Sequence, residues 1–148
     1  MSKKAVFLIT LIVFVSWVTN SCSNQKPGNE DLLNPKSKEW LKQAPEQFNV
    51  KFTTTKGEFV LKIHKSWAPL GSNRFYNLVR LGFFDNSRFY RVREGYIVQF
   101  GIPGDPSTAQ VWEKDEIEDD PVIESNLKSY IAFAMTGPNT RTTELFIN

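Results

Sequence analysis

Apolar and polar residues alternate over 50–54 and again over 57–64, on either side of a short turn that ends in Gly57. Successive side chains of a strand point to opposite faces, so a period of two around such a turn is typical of a β-hairpin. Further strand-like segments are found over 88–92, 96–100, 130–135 and 144–147. Short strands of this kind predict a mostly-β domain, either a barrel or a sandwich.

One segment of the domain has helical periodicity. Phe75, Leu78 and Val79 recur at i, i+3 and i+4, with Pro69 before them and Gly82 after them. Proline at the start and glycine past the end are typical of a single amphipathic helix. The stretch 101–126 is polar and carries an acidic run at 115–120. It predicts a long solvated loop and not a cation site, because it lacks the spacing of a calcium loop.

The N-terminus has the pattern of an export signal. Lys3 and Lys4 precede an apolar run over 5–18, which is shorter than the roughly 20 residues of a membrane-spanning helix. Ser21 then precedes Cys22, the only cysteine of the chain. This arrangement resembles a bacterial lipoprotein signal, in which Cys22 becomes the acylated first residue of the mature protein. A simple signal peptide that happens to contain a cysteine is the alternative, and either one predicts export.

We expect three parts: a signal peptide over 1–21, a polar tether over 22–47 and a folded domain over 48–148. Within the tether, 37–41 contains Trp40 and predicts a helical turn that packs on the domain. If Cys22 is acylated, the protein is expected in the bacterial cell envelope, anchored by lipid to a membrane on its periplasmic or surface side.

Charge and residue counts exclude several classes of function. The formal charge of +2 is due to Lys3 and Lys4, and the chain after residue 21 is neutral. A neutral chain lacks the basic surface that nucleic-acid binding needs, so no nucleic-acid partner is expected. One cysteine allows no internal disulfide, and a single histidine, His64, excludes a multi-histidine zinc site. We expect no metal, no cofactor and a monomer.

Two sequence runs, over 89–99 and 133–140, resemble motifs of the cyclophilin family of peptidyl-prolyl cis-trans isomerases. The helix and the following Gly82-Phe83-Phe84-Asp85 resemble a third, in the same order. The loop from 101 looks like an envelope-exported bacterial branch of the family. The resemblance implies an eight-stranded antiparallel barrel with end-capping helices. Cyclophilins continue beyond the position of Asn148 through further strands and a second helix, so we expect a piece of a longer protein.

The resemblance also implies a site for Xaa-Pro bonds. Rotation about that bond has a barrier of about 20 kcal/mol, because amide resonance stiffens it. A catalyst needs a donor at the prolyl nitrogen and an apolar cup for the ring. By resemblance, Arg91 supplies the donor and Gln99 positions Arg91 or the substrate carbonyl. The other implied substrate contacts are Tyr96, Ile97 and Phe146 in the cup, the backbone of Ala134, Met135 and Thr136, and Glu144, where the family usually has Gln.

Plainer interpretations stand beside these. Tyr96, Ile97 and Phe146 could be core residues, Arg91 a solvated strand residue and Gln99 an ordinary barrel polar group. Glu144 could pair with Arg91 and lower its availability, or face away. The leading hypothesis is therefore an isomerase that acts on proline-containing segments of exported proteins. A non-catalytic prolyl-peptide-binding or holdase module and an inactive fragment are the alternatives.

Overall fold

A computed structural model describes residues 29–148, and the strands within this part form two antiparallel sheets. The first sheet pairs β1 (Gln47–Thr54) with β2 (Gly57–His64). The second has the order β3-β4-β6-β5 and consists of β3 (Arg91–Arg93), β4 (Ile97–Phe100), β5 (Ile131–Phe133) and β6 (Leu145–Ile147). The predicted mostly-β class is confirmed.

The predicted hairpin is confirmed, with its first strand beginning three residues earlier than the alternating pattern does. Gln47 lies opposite His64 and Thr54 opposite Gly57, so β1 and β2 pair along their whole length. Elsewhere the strands are shorter than predicted. The segment 88–92 enters the sheet only at Arg91, and within 130–135 the strand covers only 131–133.

The helices are α1 (Asn29–Leu32), α2 (Pro69–Arg80) and α3 (Pro106–Trp112), with 3₁₀ helices at Lys38–Leu41 and Lys65–Trp67. The predicted helix is α2, and α3 corrects the prediction of one long loop over 101–126. The Asp105 carboxylate accepts a hydrogen bond from the Thr108 amide at 2.8 Å and caps α3, which Pro106 begins. Among residues 29–148, no helix is both long and apolar enough to cross a membrane.

Residues of α2 contribute to two hydrophobic clusters. One contains Leu78 of α2 and Leu81 directly after it, and is completed by Trp40, Phe83 and Trp112. The other contains Phe75 and is completed by Val50, Ile63, Phe100 and Leu145, which come from both sheets. Because the second cluster joins α2 to both sheets, it fixes the four-stranded sheet relative to the hairpin.

Residues 29–47, part of the predicted tether, pack on the domain. Trp40 lies edge-on against Trp112, with ring centroids 4.4 Å apart. The Trp112 indole donates to the Leu32 carbonyl at 2.8 Å. The predicted helical turn is confirmed as the 3₁₀ helix Lys38–Leu41, capped by Ser37. The division into leader, tether and domain stays a prediction, and the leader with Cys22 lies outside the described residues.

The prediction that the acidic run is solvated is wrong for three of its residues. Asp115 pairs with Lys36 at 2.7 Å and with Arg74 at 2.8 Å. Asp119 and Asp120 pair with the buried Arg141, both at 3.0 Å. The Asp120 carboxylate also accepts from the amides at the start of α2. The run therefore holds the long connection against the domain.

Candidate functional site

Three predicted site residues lie in one row across the four-stranded sheet. Arg91 on β3 is opposite Gln99 on β4, and Gln99 is opposite Phe146 on β6. Residues directly opposite each other in antiparallel strands project to the same face. The faces that carry Arg91 and Gln99 therefore meet. The structure brings a cation, an amide and an aromatic ring side by side.

The row lies on the face of the sheet that points away from the core. Phe100 and Leu145, the chain neighbours of Gln99 and Phe146, are buried in the core. Because side chains alternate along a strand, Gln99 and Phe146 project to the other face. The two-residue period of a strand predicts that Phe89 shares the face of Arg91, and the structure corrects this expectation. Phe89 precedes β3, and its ring packs edge-on against Phe100 at 5.4 Å.

The backbones at Gly101 and Thr143 pack closely against each other, and this packing fixes the geometry of this part of the sheet. Gly101, directly after β4, has φ +111°, and a Cβ there would lie 2.3 Å from the Thr143 carbonyl oxygen. The Thr143 hydroxyl donates to the Gly101 carbonyl at 2.9 Å. Only glycine combines this conformation with this approach. Gly101 thereby lets the segment before β6 lie against the end of β4, beside the row.

A chain of hydrogen bonds runs from Arg91 to Tyr90. Arg91 Nη1 donates to Gln99 Oε1 at 3.3 Å, and Gln99 Nε2 donates to Glu144 Oε2 at 3.3 Å. The Tyr90 hydroxyl donates to the same Glu144 oxygen. Neither alternative for Glu144 therefore describes the structure. Its carboxylate accepts from Tyr90 and Gln99, and it is joined to Arg91 only through the amide.

Tyr90 is the site residue that sequence reasoning missed. It precedes β3, so the two-residue period does not place it, and nothing in the sequence indicates that it reaches Glu144. Partial burial raises the pKa of its phenol well above the usual range, and the hydrogen bond to Glu144 with its negative charge adds to that effect. The hydroxyl is therefore a donor throughout the neutral range.

The three residues of the predicted cup are not equally placed. Ile97 and Phe146 are half-buried on the same face and are diagonal neighbours on β4 and β6. Tyr96 lies in the β3–β4 turn, where Gly95 has φ +69°, and is 60% exposed. The sheet thus forms an apolar surface from Ile97 and Phe146, with Tyr96 at its edge. Their roles in binding stay predictions.

The segment after β5 contains the three residues predicted to bind peptide backbone. The Ala134 amide donates to the Glu144 carbonyl at 2.9 Å, and the Thr136 amide donates to Thr140 Oγ1 at 3.0 Å. Met135 is 52% exposed, and its backbone amide and carbonyl have no hydrogen-bond partner among the described residues. The structure thus leaves Met135 open to an extended peptide, next to Glu144.

The arrangement can donate hydrogen bonds and bind apolar groups. Arg91 is exposed at the edge of the sheet, and its guanidinium carries several N–H donors in a planar fork. It can donate to an amide nitrogen that gains lone-pair character as the bond twists. Within residues 29–148, no group of three or more His, Cys, Asp and Glu side chains could hold a metal ion.

Comparison with known proteins agrees with this geometry. The family model for cyclophilin-type peptidyl-prolyl cis-trans isomerases matches residues 49–148. Peptidyl-prolyl cis-trans isomerase-like 1 of Gibberella zeae is 33% identical over 102 residues, which cover 67% of this chain and 63% of that protein. Peptidyl-prolyl cis-trans isomerase ppi1 of Schizosaccharomyces pombe is 30% identical over 104 residues, or 67% and 66% of the two chains.

A solved structure is similar in fold. The crystal structure of a cyclophilin-type peptidyl-prolyl cis-trans isomerase of Cryptosporidium parvum matches with a TM-score of 0.56 and 23% identity, over 68% of this chain and 66% of that one. The chain thus spans less than two thirds of the length of these relatives. The family-model match over residues 49–148 covers the four-stranded sheet, the row of site residues and all of the hairpin except the first two residues of β1. This chain belongs to the cyclophilin-type peptidyl-prolyl cis-trans isomerase family.

Proposed function

We propose that the protein is a peptidyl-prolyl cis-trans isomerase that acts on Xaa-Pro bonds of exported proteins. One observation carries the proposal. Arg91 is exposed and donates to Gln99 at 3.3 Å, and Gln99 lies opposite Phe146 in the same row of the sheet. The names of the curated relatives support the same reaction.

The reaction needs a group that weakens amide resonance. As the Xaa-Pro bond twists, the prolyl nitrogen loses conjugation and gains a lone pair that can accept a hydrogen bond. Arg91 would donate to this lone pair, which is fully developed only in the twisted transition state. An interaction that is stronger in the transition state than in the ground state lowers the barrier. No nucleophile and no proton transfer are required.

The remaining residues would bind the peptide and hold it in place. Ile97 and Phe146 present the half-buried apolar surface on which a proline ring could rest. Met135 offers a free backbone amide and carbonyl, and an extended peptide could pair with them as an added strand does. Binding at these two places would fix the proline on one side while the preceding residue rotates.

The test is cis-to-trans exchange in a short Xaa-Pro peptide, followed by NMR with the full chain. We expect the wild type to accelerate exchange and Arg91→Ala to lose about 100-fold or more, since removal of one transition-state donor has effects of that size. Arg91→Lys should recover little, because an ammonium lacks the planar fork of donors. Arg88→Ala is the matched control: Arg88 is an exposed arginine before β3 and should leave the rate unchanged.

A binding assay on the same peptide separates the alternatives. Phe146→Ala should weaken peptide binding, because the ring would contact the proline in ground and transition states alike. Binding by the wild type without acceleration would contradict the isomerase and favour a prolyl-peptide-binding or holdase module. Neither binding nor acceleration would favour an inactive fragment.

We also propose that the protein is exported and held on a membrane of the bacterial envelope by acylated Cys22. The basic residues Lys3 and Lys4, the apolar run over 5–18 and the small residue before Cys22 support this proposal. Cys22→Ala should move the protein from the membrane fraction to the soluble fraction, or block its processing. Ser23→Ala, at the next position, should not. Wild-type protein found wholly in the soluble fraction would contradict the anchor.

A further inference from the structure

We propose that Tyr90 is a positioning residue for the isomerisation: through Glu144 and Gln99 it sets the orientation of the Arg91 guanidinium. The proposal rests on the proposed function and adds Tyr90 and Glu144 to its machinery. It is carried by the three hydrogen bonds that join Arg91, Gln99, Glu144 and Tyr90 in a chain. In each bond, which group donates and which accepts is fixed.

The direction of the chain follows from donor and acceptor chemistry. A guanidinium can only donate and a carboxylate can only accept, whereas the amide of Gln99 does both. With Arg91 on one side and Glu144 on the other, Gln99 must turn its oxygen to Arg91 and its nitrogen to Glu144. The reversed amide would face the guanidinium with another donor and the carboxylate with another acceptor. Glu144 thus fixes an orientation that a glutamine at this position would leave open.

Tyr90 holds the carboxylate in the place where it does this. Glu144 lies directly before β6, and Ala134 ties its backbone carbonyl to the segment after β5. The Glu144 carboxylate is negative and the Arg91 guanidinium is positive, so the two would attract each other directly. In the chain of hydrogen bonds, Gln99 lies between them. The Tyr90 hydroxyl and Gln99 Nε2 donate to the same oxygen, Glu144 Oε2. The Tyr90 hydrogen bond keeps this oxygen within reach of Gln99. Arg91 then stays bonded to a neutral amide, and its other donors, which have no hydrogen-bond partner among residues 29–148, can reach the substrate.

The kinetic test compares Tyr90→Phe, which removes only the hydroxyl, with Tyr76→Phe. Tyr76 lies on α2 with its ring against Phe48, outside the hydrogen-bond chain. We expect Tyr90→Phe to lower kcat by a factor of about 2 to 12, the range of one hydrogen bond, with KM unchanged. Glu144→Gln should lower kcat as well. The double variant should lose no more than the larger single loss, because both changes break one chain. Tyr76→Phe should leave kcat unchanged.

A second measurement does not depend on activity. NMR signals of the Gln99 side-chain amide and of the Arg91 guanidinium should shift in Tyr90→Phe and in Glu144→Gln, and stay in place in Tyr76→Phe. If the wild type does not accelerate exchange, the proposed function fails, and these signals alone decide the positioning. Unmoved signals in both site variants would overturn the proposal. So would a loss confined to KM, or additive losses in the double variant. If Tyr90→Phe does not fold, Glu144→Gln alone decides.

Discussion

Two arginines of this chain sit in opposite surroundings. Arg141 is 7% exposed and pairs with Asp119 and Asp120, and its guanidinium lies 5.7 Å from the ring centre of Phe133. Arg91 is exposed at a sheet edge, and its hydrogen bond goes to the neutral amide of Gln99. Gln99 in turn donates to the carboxylate of Glu144, which also accepts from Tyr90 and does not pair with Arg91.

The difference separates a structural cation from one available for chemistry. A buried charge needs a partner, because an unpaired ion in the interior is costly. Arg141 therefore donates hydrogen bonds to the Asp120 carboxylate and the Glu118 carbonyl, and through Asp120 it is linked to the start of α2. An exposed guanidinium stays hydrated at little cost and can exchange that water for a substrate. The same residue type thus stabilises the fold in one place and is free to bind in the other.

The largest expected effect on stability follows from this contrast. Arg141→Ala should lower the free energy of unfolding by about 3 to 5 kcal/mol, since it leaves two carboxylates without their partner. Arg91→Ala should change it by less than about 0.5 kcal/mol. Urea denaturation of both variants measures the difference. Similar losses in the two variants would contradict the assignment of structural and free arginines.

The two aspartates of the buried cluster should differ. Asp120→Asn should destabilise the protein by about 1 to 3 kcal/mol, because its carboxylate accepts from Arg141 and from two amides of α2. Asp119 is more exposed, and its ion pair with Arg141 lacks hydrogen-bond geometry. Asp119→Asn should therefore have a smaller effect in the same denaturation experiment. The reverse order would place the main anchor of Arg141 at Asp119.

The carboxylate of the exposed site should matter little for stability. Glu144→Gln keeps an acceptor for Tyr90, and we expect a change between 0 and about 1 kcal/mol in the free energy of unfolding. Thermal unfolding of this variant beside Asp120→Asn gives the comparison. A loss as large as that of Asp120→Asn would show that the chain around Glu144 is a structural element.

The smallest effect is expected at alkaline pH. The folded protein raises the pKa of Tyr90 above its unfolded value, so its contribution to stability is complete below the unfolded pKa, near 10. It is lost as pH rises from there through the folded pKa, because the unfolded chain ionises first. Wild-type stability should therefore fall more steeply above about pH 10 than that of Tyr90→Phe. Parallel curves for the two proteins would contradict this linkage.

Local patterns predicted most of the elements of this domain. The hairpin and α2 could be found from the sequence. Their signals, the two-residue period over 57–64 and the positions of Pro69 before and Gly82 after the helix, depend only on residues close together in the sequence. The cap that begins α3, Asp105-Pro106, was also present in the sequence, but the polar character of its surroundings concealed it. Strand ends were predicted less well, because pairing with a neighbour decides where β3 begins.

The site divides in the same way. The family resemblance predicted Arg91 and Gln99, and the strand period placed each of them on one face of its own strand. Three features could not be predicted: the partners of the Glu144 carboxylate, the role of Tyr90, and the burial of Arg141 against the acidic run. Each depends on contacts between residues that are 21 to 54 positions apart.

The sequence by itself determined the hairpin, the main helix and the family, because these depend on short-range periodicity and contiguous motifs. The tertiary structure decided which charges are neutralised and which stay free. That choice depends on which side chains the fold brings within hydrogen-bond reach and how much water it leaves around them, and a linear pattern contains neither quantity.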